Sequence, residues 1–189
     1  NLASGHGPTF DGVDATTGYQ PLWQGLLTAV ALVVPDGQLL RASLFVGALL
    51  AIAGYLALAR VTHTIVALTP FGFAVGLAVA SGPVAWERTV NGMEGAAVVA
   101  ALGVLAVAAH RWWSVPSAMA MGMDGAASGL LCLGRTSQIA TIAIVPVLLL
   151  WGLSRSGRRV SLGRQLGAWV LGAVAVCLPW FAWSWATVG

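Results

Sequence analysis

The sequence predicts an all-α fold, a polytopic transmembrane helix bundle with a polar N-terminal loop at the outer membrane surface. Three observations carry that prediction. Hydrophobic residues make up 58% of the chain and charged residues only 8%, against roughly 25% charged in a soluble domain. Mean hydropathy is +0.86, and so few charges could not cover a water-facing globule. The apolar residues also fall into long charge-free runs with tryptophans clustered near the run ends (Trp23, Trp86, Trp112, Trp113, Trp151, Trp180), as an aromatic belt predicts. At ~20 residues per span, a chain of this length holds about six or seven helices.

Taken in order, residues 1–21 form the polar loop and residues 22–189 the transmembrane domain. Leu22–Val34 is apolar, but as a helix it rises only ~20 Å, short of the ~30 Å hydrocarbon core; it reads as tilted, re-entrant or interfacial. Six longer runs follow: Leu39–Ala59, Thr64–Trp86, Gly92–Ala109, Ser117–Gly134, Gln138–Leu153 and Gln165–Thr187. Gly-xxx-Gly spacings at Gly72/Gly76, Gly125/Gly129 and Gly163/Gly167 predict close helix packing.

All the basic residues are Arg, and the net charge is +3. If the six runs alternate sides, Arg60, Arg111, Arg155, Arg158, Arg159 and Arg164 gather on one side. Arg41, Arg88 and Arg135 fall on the other. The positive-inside rule makes the first set cytoplasmic, so "GPVAWERTVNGMEG" and "GRTSQ" face outward from a multi-pass inner membrane protein. This basic excess is topology information; no Arg run interleaved with aromatics suggests a nucleic-acid partner. Cys132 and Cys177 lie in apolar runs without a CxxC pattern, which argues against a disulfide or metal site. The three histidines are scattered, with His63 and His110 in short solvated turns and no metal-ligand spacing. No P-loop, GxGxxG or GxSxG motif is present.

Ionisable residues at the membrane edge or inside it are costly and so are functional candidates. Glu94 stands at the outer end of a run, just after Asn91-Gly92; the same spacing nearly matches a capping box. Arg135 interrupts two runs at the same face, where its planar guanidinium suits a lipid phosphate. Arg41 and Arg88 are further phosphate candidates, although Arg41 also reads as a side chain snorkelling to the interface. Asp124 lies within its run and either faces a polar cavity or marks a later helix start, which the cost of burying a charge favours.

Three segments carry a family resemblance: "NLASGHGPTFDGVDATTGYQPLW", then "NGMEGA", then "GLLCLGRTSQI". In this order they resemble the bacterial, actinobacterial-type GT-C membrane glycosyltransferases, akin to mannosyl- and arabinofuranosyltransferases of the cell envelope. The match covers Asn1, Leu2, Gly5, Gly7, Phe10, Gly12, Gly18, Tyr19, Pro21, Leu22 and Trp23, then Asn91, Gly92 and Glu94, then Arg135 and Thr136. Ser137 departs from the family's usual Asp, and Thr17 from its common Asn. The resemblance implies an inverting transfer from a polyprenyl-phosphate-linked sugar to an envelope glycan, lipid or protein acceptor. It implies a divalent cation in some members and none in others. The general base is expected in an acidic pair upstream of Asn1.

On these residues the reaction has a direct chemical reading. The sugar–phosphate bond breaks through an oxocarbenium-like state while a carboxylate deprotonates the acceptor hydroxyl. The leaving phosphate gains negative charge and needs a cation, which Arg135, Arg41 or Arg88 supplies. His6, Asp11, Asn91 and Glu94 are placed to bind sugar hydroxyls, and Tyr19 offers an aromatic wall. The alternatives are a non-catalytic or degenerate membrane subunit, or a transporter exploiting Asp124. A transporter would be expected to carry an inverted repeat, and none is evident.

Overall fold

The structure, a computed structural model, describes residues 20–65, 95–135, 139–155 and 161–188. All regular structure among them is helical. The helices are α1 (Pro21–Ala31), α2 (Leu39–Ile65), α3 (Gly95–Ser114), α4 (Ala118–Gly134), α5 (Ile139–Arg155) and α6 (Leu162–Val188), with a 3-10 turn at Asp36–Gln38 before α2. Leu39–His63, Gly95–Ser114 and Leu162–Ala186 are each long and apolar enough to cross a membrane. The apolar helices Ala118–Gly134 and Ile142–Gly152 are shorter. The expected Thr64–Trp86 run lies outside the described residues beyond Ile65, where α2 ends.

Helix ends follow from local chemistry. Pro21 sits in the first turn of α1, where its missing N–H costs nothing. Ser117 caps α4 by accepting a hydrogen bond from the Ala120 N–H at 3.1 Å. Pro146 lies inside α5 and Pro179 inside α6; each deprives the carbonyl four residues earlier of its helical donor.

Glycine contacts give the helix directions. A β-carbon built on Gly47 would lie 3.7 Å from Ala96, and one on Gly54 would meet the Val99 carbonyl oxygen at 2.5 Å. One on Gly103 would stand 2.9 Å from the Gly54 carbonyl oxygen. Positions therefore rise together along α2 and α3, which run parallel. Helix α4 turns back after Val115–Ser117 and runs antiparallel to α3, so that Gly134 comes to lie against Val98. Helices α4 and α6 are parallel: a β-carbon on Gly122 would lie 3.4 Å from the Ala168 carbonyl oxygen, and one on Gly129 2.9 Å from Val176 Cβ. Gly152 near the end of α5 lies under the Trp113 ring near the end of α3.

These directions sort the arginines. Arg41, at the start of α2, and Arg135, after α4, share one end of the bundle. Arg60, Arg111 and Arg164 share the other, as alternation of the runs predicts. A small core of Ala101, Leu105, Ala108, Ala127, Leu131, Cys132 and Ile142 joins α3, α4 and α5. The outer faces stay apolar, with Phe45, Leu49 and Leu56 of α2 and Leu171 and Trp185 of α6 exposed. In water that surface would be a liability; against lipid it is matched.

Several expectations need correction. Asp124 does not mark a late helix start, because α4 begins at Ala118 and Asp124 is fully buried near its middle. His63 and His110 lie within α2 and α3 rather than in turns. Trp23 and Trp112 are buried between helices instead of standing in an interfacial belt; the Trp112 indole donates to Gln165 Oε1 at 3.0 Å. Gly125 and Gly129 do pack closely against α6, but Gly163 and Gly167 face open space. The glycine of α6 that does the packing is Gly172, set against Gly122 and Ala126.

Candidate functional site

The Arg135 end of the bundle is assembled around α1. This helix has 11 residues and rises about 16 Å, roughly half a hydrocarbon core, so it cannot cross. Its first turn is nonetheless anchored. Trp23 is buried, and its Cη2 lies 3.7 Å from a β-carbon built on Gly47 of α2. Leu22 Cδ2 lies 3.5 Å from one built on Gly134, which would also stand 3.4 Å from Val98 Cγ2 of α3. Leu22 and Val98 both pack on the central core cluster. Beyond Ala31 the chain turns back through the exposed residues Leu32 and Val33 to the start of α2. Helix α1 is a short wedge that enters beside the ends of α3 and α4.

Leu22, Val98 and Gly134 thus converge on one point. Leu22 belongs to "GYQPLW", Val98 follows four residues after Glu94, and Gly134 directly precedes Arg135. Of the three segments that carry the family resemblance, the described residues Leu22, Ala96 and Gly134 lie at one end of the bundle, and residues 1–19, 91–94 and 136–138 lie outside the described residues. Arg135 is exposed there in extended backbone (φ −161, ψ 113), its N–H donating to the Leu131 carbonyl at 3.0 Å. The α1 N-terminus, with its partial positive charge, lies beside it. Both features favour an anion.

The expected site residues divide accordingly. Arg135 and Arg41 stand at the same end of the bundle, both exposed. His6, Asp11, Tyr19, Arg88, Asn91 and Glu94 lie outside the described residues. Among the described residues no group of three or more His, Cys, Asp or Glu could hold a metal ion.

A second polar feature lies deeper. Asp124 Oδ2 accepts from the Trp169 indole N–H at 3.1 Å, joining α4 to α6. Asp124 Oδ1 and Ser128 Oγ, one turn apart on α4, are buried with no hydrogen-bond partner among the described residues. The spacing of Asp124 and Ser128 puts them on one helix face, a signal legible in the sequence; Trp169 as the partner was not.

No family model, curated protein or solved structure matches the chain.

Proposed function

We propose that the chain is part of an integral membrane glycosyltransferase that moves a sugar from a polyprenyl-phosphate donor to a cell-envelope acceptor. The observation that supports this reading is that Leu22, Ala96 and Gly134, the described residues of three segments resembling that family, lie at one end of the bundle.

In this reading the Arg135 end faces outward and the Arg60, Arg111 and Arg164 end faces the cytoplasm, following the positive-inside rule. The Arg135 guanidinium pairs with the donor phosphate and strengthens its hold as the sugar–phosphate bond breaks and charge develops on the leaving group. Arg41 and the α1 N-terminus add positive potential at the same end. Glu94 and Asn91 orient sugar hydroxyls, and a carboxylate takes the acceptor's proton.

The test is an assay of membranes carrying the full gene product with radiolabelled polyprenyl-phosphate-linked mannose and arabinofuranose. Label entering an envelope fraction, and lost from it in Glu94→Gln, supports the reading. No transfer from either donor by correctly inserted protein counts against it. A transporter reading rests on buried Asp124 alone; it predicts solute uptake that Asp124→Asn abolishes.

A further inference from the structure

The opposite, arginine-rich end carries a feature that sugar transfer does not use. A groove of about 430 Å³ runs along the seam of α2 and α3, with Met123 of α4 closing one side. Its floor is made of small residues, Ala53, Gly54 and Ala57 on α2 and Gly103 on α3. The close approach of the two backbones at Gly54 and Gly103 leaves a furrow between rims built by Leu50, Val104 and Val107. Along α3 the groove extends from Ala100 to Arg111, about 16 Å of helix. That is the depth of one leaflet of a ~30 Å hydrocarbon core.

The groove opens into a second, more polar cavity of about 600 Å³, with which it shares Ala108, Arg111 and Met123. This mouth adds His110, Ser114 and Ser117. The Arg111 side chain is exposed. The Ser114 hydroxyl is spent on the His110 carbonyl. Ser117 accepts from the Ala120 N–H, which leaves its own O–H able to donate. Among the described residues no Asp or Glu lines either cavity. An apolar furrow one leaflet deep therefore leads to a mouth at which the described residues place a fixed positive charge with hydroxyl and imidazole groups.

We infer that this groove binds one acyl chain of an anionic phospholipid of the arginine-rich leaflet, with the headgroup phosphate held at Arg111. The inference rests on the membrane reading of the chain and not on its being a glycosyltransferase. The occupant follows from charge and length. A guanidinium prefers a phosphate that it can grip through two N–H groups, and a basic pocket between helices on the cytoplasmic side is suited to an anionic headgroup. A zwitterionic lipid would cancel that gain with its own cation. A polyprenyl chain would far outrun 16 Å.

The experiment uses the full chain in detergent, with native mass spectrometry of lipid retention and a photoprobe in the groove. Phosphatidylglycerol and phosphatidylcholine with the same acyl chains are added in parallel. Phosphatidylglycerol is expected to be retained roughly fivefold better, and Arg111→Gln to abolish the preference. Because Arg111 is exposed, this variant should keep its helical content, checked by circular dichroism. A benzoylphenylalanine introduced at Ala53 should attach to lipid on irradiation. Equal retention of the two lipids, an unchanged preference in Arg111→Gln, or attachment of the probe to residues 66–94 of the chain would overturn the inference. None of these readouts depends on sugar transfer, so the two proposals can fail separately.

Discussion

At the scale of single residues, Asp124 shows what burial asks of a polar group inside an apolar bundle. Its side chain is fully buried, one oxygen held by Trp169 and the other without a partner among the described residues. An ionised carboxylate in such a place costs several kcal/mol unless it is paired, which is why a late helix start looked the better expectation. The partner that changes the outcome lies 45 residues away on another helix, beyond the reach of any local pattern. Trp169→Phe removes the donor and leaves both oxygens bare; it should destabilise the fold by about 1–2 kcal/mol. Asp124→Asn keeps an acceptor for the indole and should stay within about 0.5 kcal/mol of the parent. Thermal unfolding in detergent measures both. Equal losses for the two would mean that the hydrogen bond contributes nothing.

At the scale of elements, the bundle is held by glycines that let backbones touch. Gly125 and Gly129 were legible as a packing pair, since small residues four apart share a helix face. Gly163 and Gly167 have the same spacing but face open space, because what decides the contact is the rotation of α6 against α4, a tertiary property. Gly125→Ala drives a methyl into the Trp169 carbonyl and should cost about 2–3 kcal/mol. Gly163→Ala and Gly167→Ala meet nothing and should be neutral or stabilising by up to about 1 kcal/mol.

The cysteines make a second test of the same interface. Spacing alone gave no reason to pair Cys132 with Cys177, yet the parallel run of α4 and α6 sets them side by side, both free. The Cys177 thiol also donates to the Gly129 carbonyl at 3.6 Å. A short thiol-bridging reagent such as dibromobimane should therefore link the two cysteines and fluoresce once the protein is gently loosened. Fluorescence should disappear in Cys177→Ser. Labelling of two separate thiols without bridging would contradict the parallel pairing.

At the scale of the whole molecule, composition was enough to read the helical class, and the described helices lie close to the charge-free runs. Boundaries moved where polar residues continue a helix: Arg60 and His63 extend α2, and His110 and Arg111 extend α3. The division of arginines between two ends was also legible, because it needs only alternation. Alternation also makes α2 parallel to α3 and α4 parallel to α6; what pattern could not supply was that these helices are neighbours, which depends on long-range glycine contacts. Nor could it supply the wedge of α1 that brings Leu22 to Gly134. The shared outward side of the second and third segments was legible from alternation, but the contact of Leu22 with Gly134 was not.

The central claim is that the Arg135 end is where a donor phosphate is held during sugar transfer. The most direct measurement compares label transfer from a polyprenyl-phosphate-linked sugar by membranes carrying the full gene product with Arg135→Ala or with Arg164→Gln, arginines at opposite ends of the bundle. Removing a charge that stabilises the leaving phosphate should lower the rate by roughly 10²–10³-fold, and Arg164→Gln should leave it unchanged. Equal rates for Arg135→Ala and the parent, with both inserted to the same level, would contradict the account.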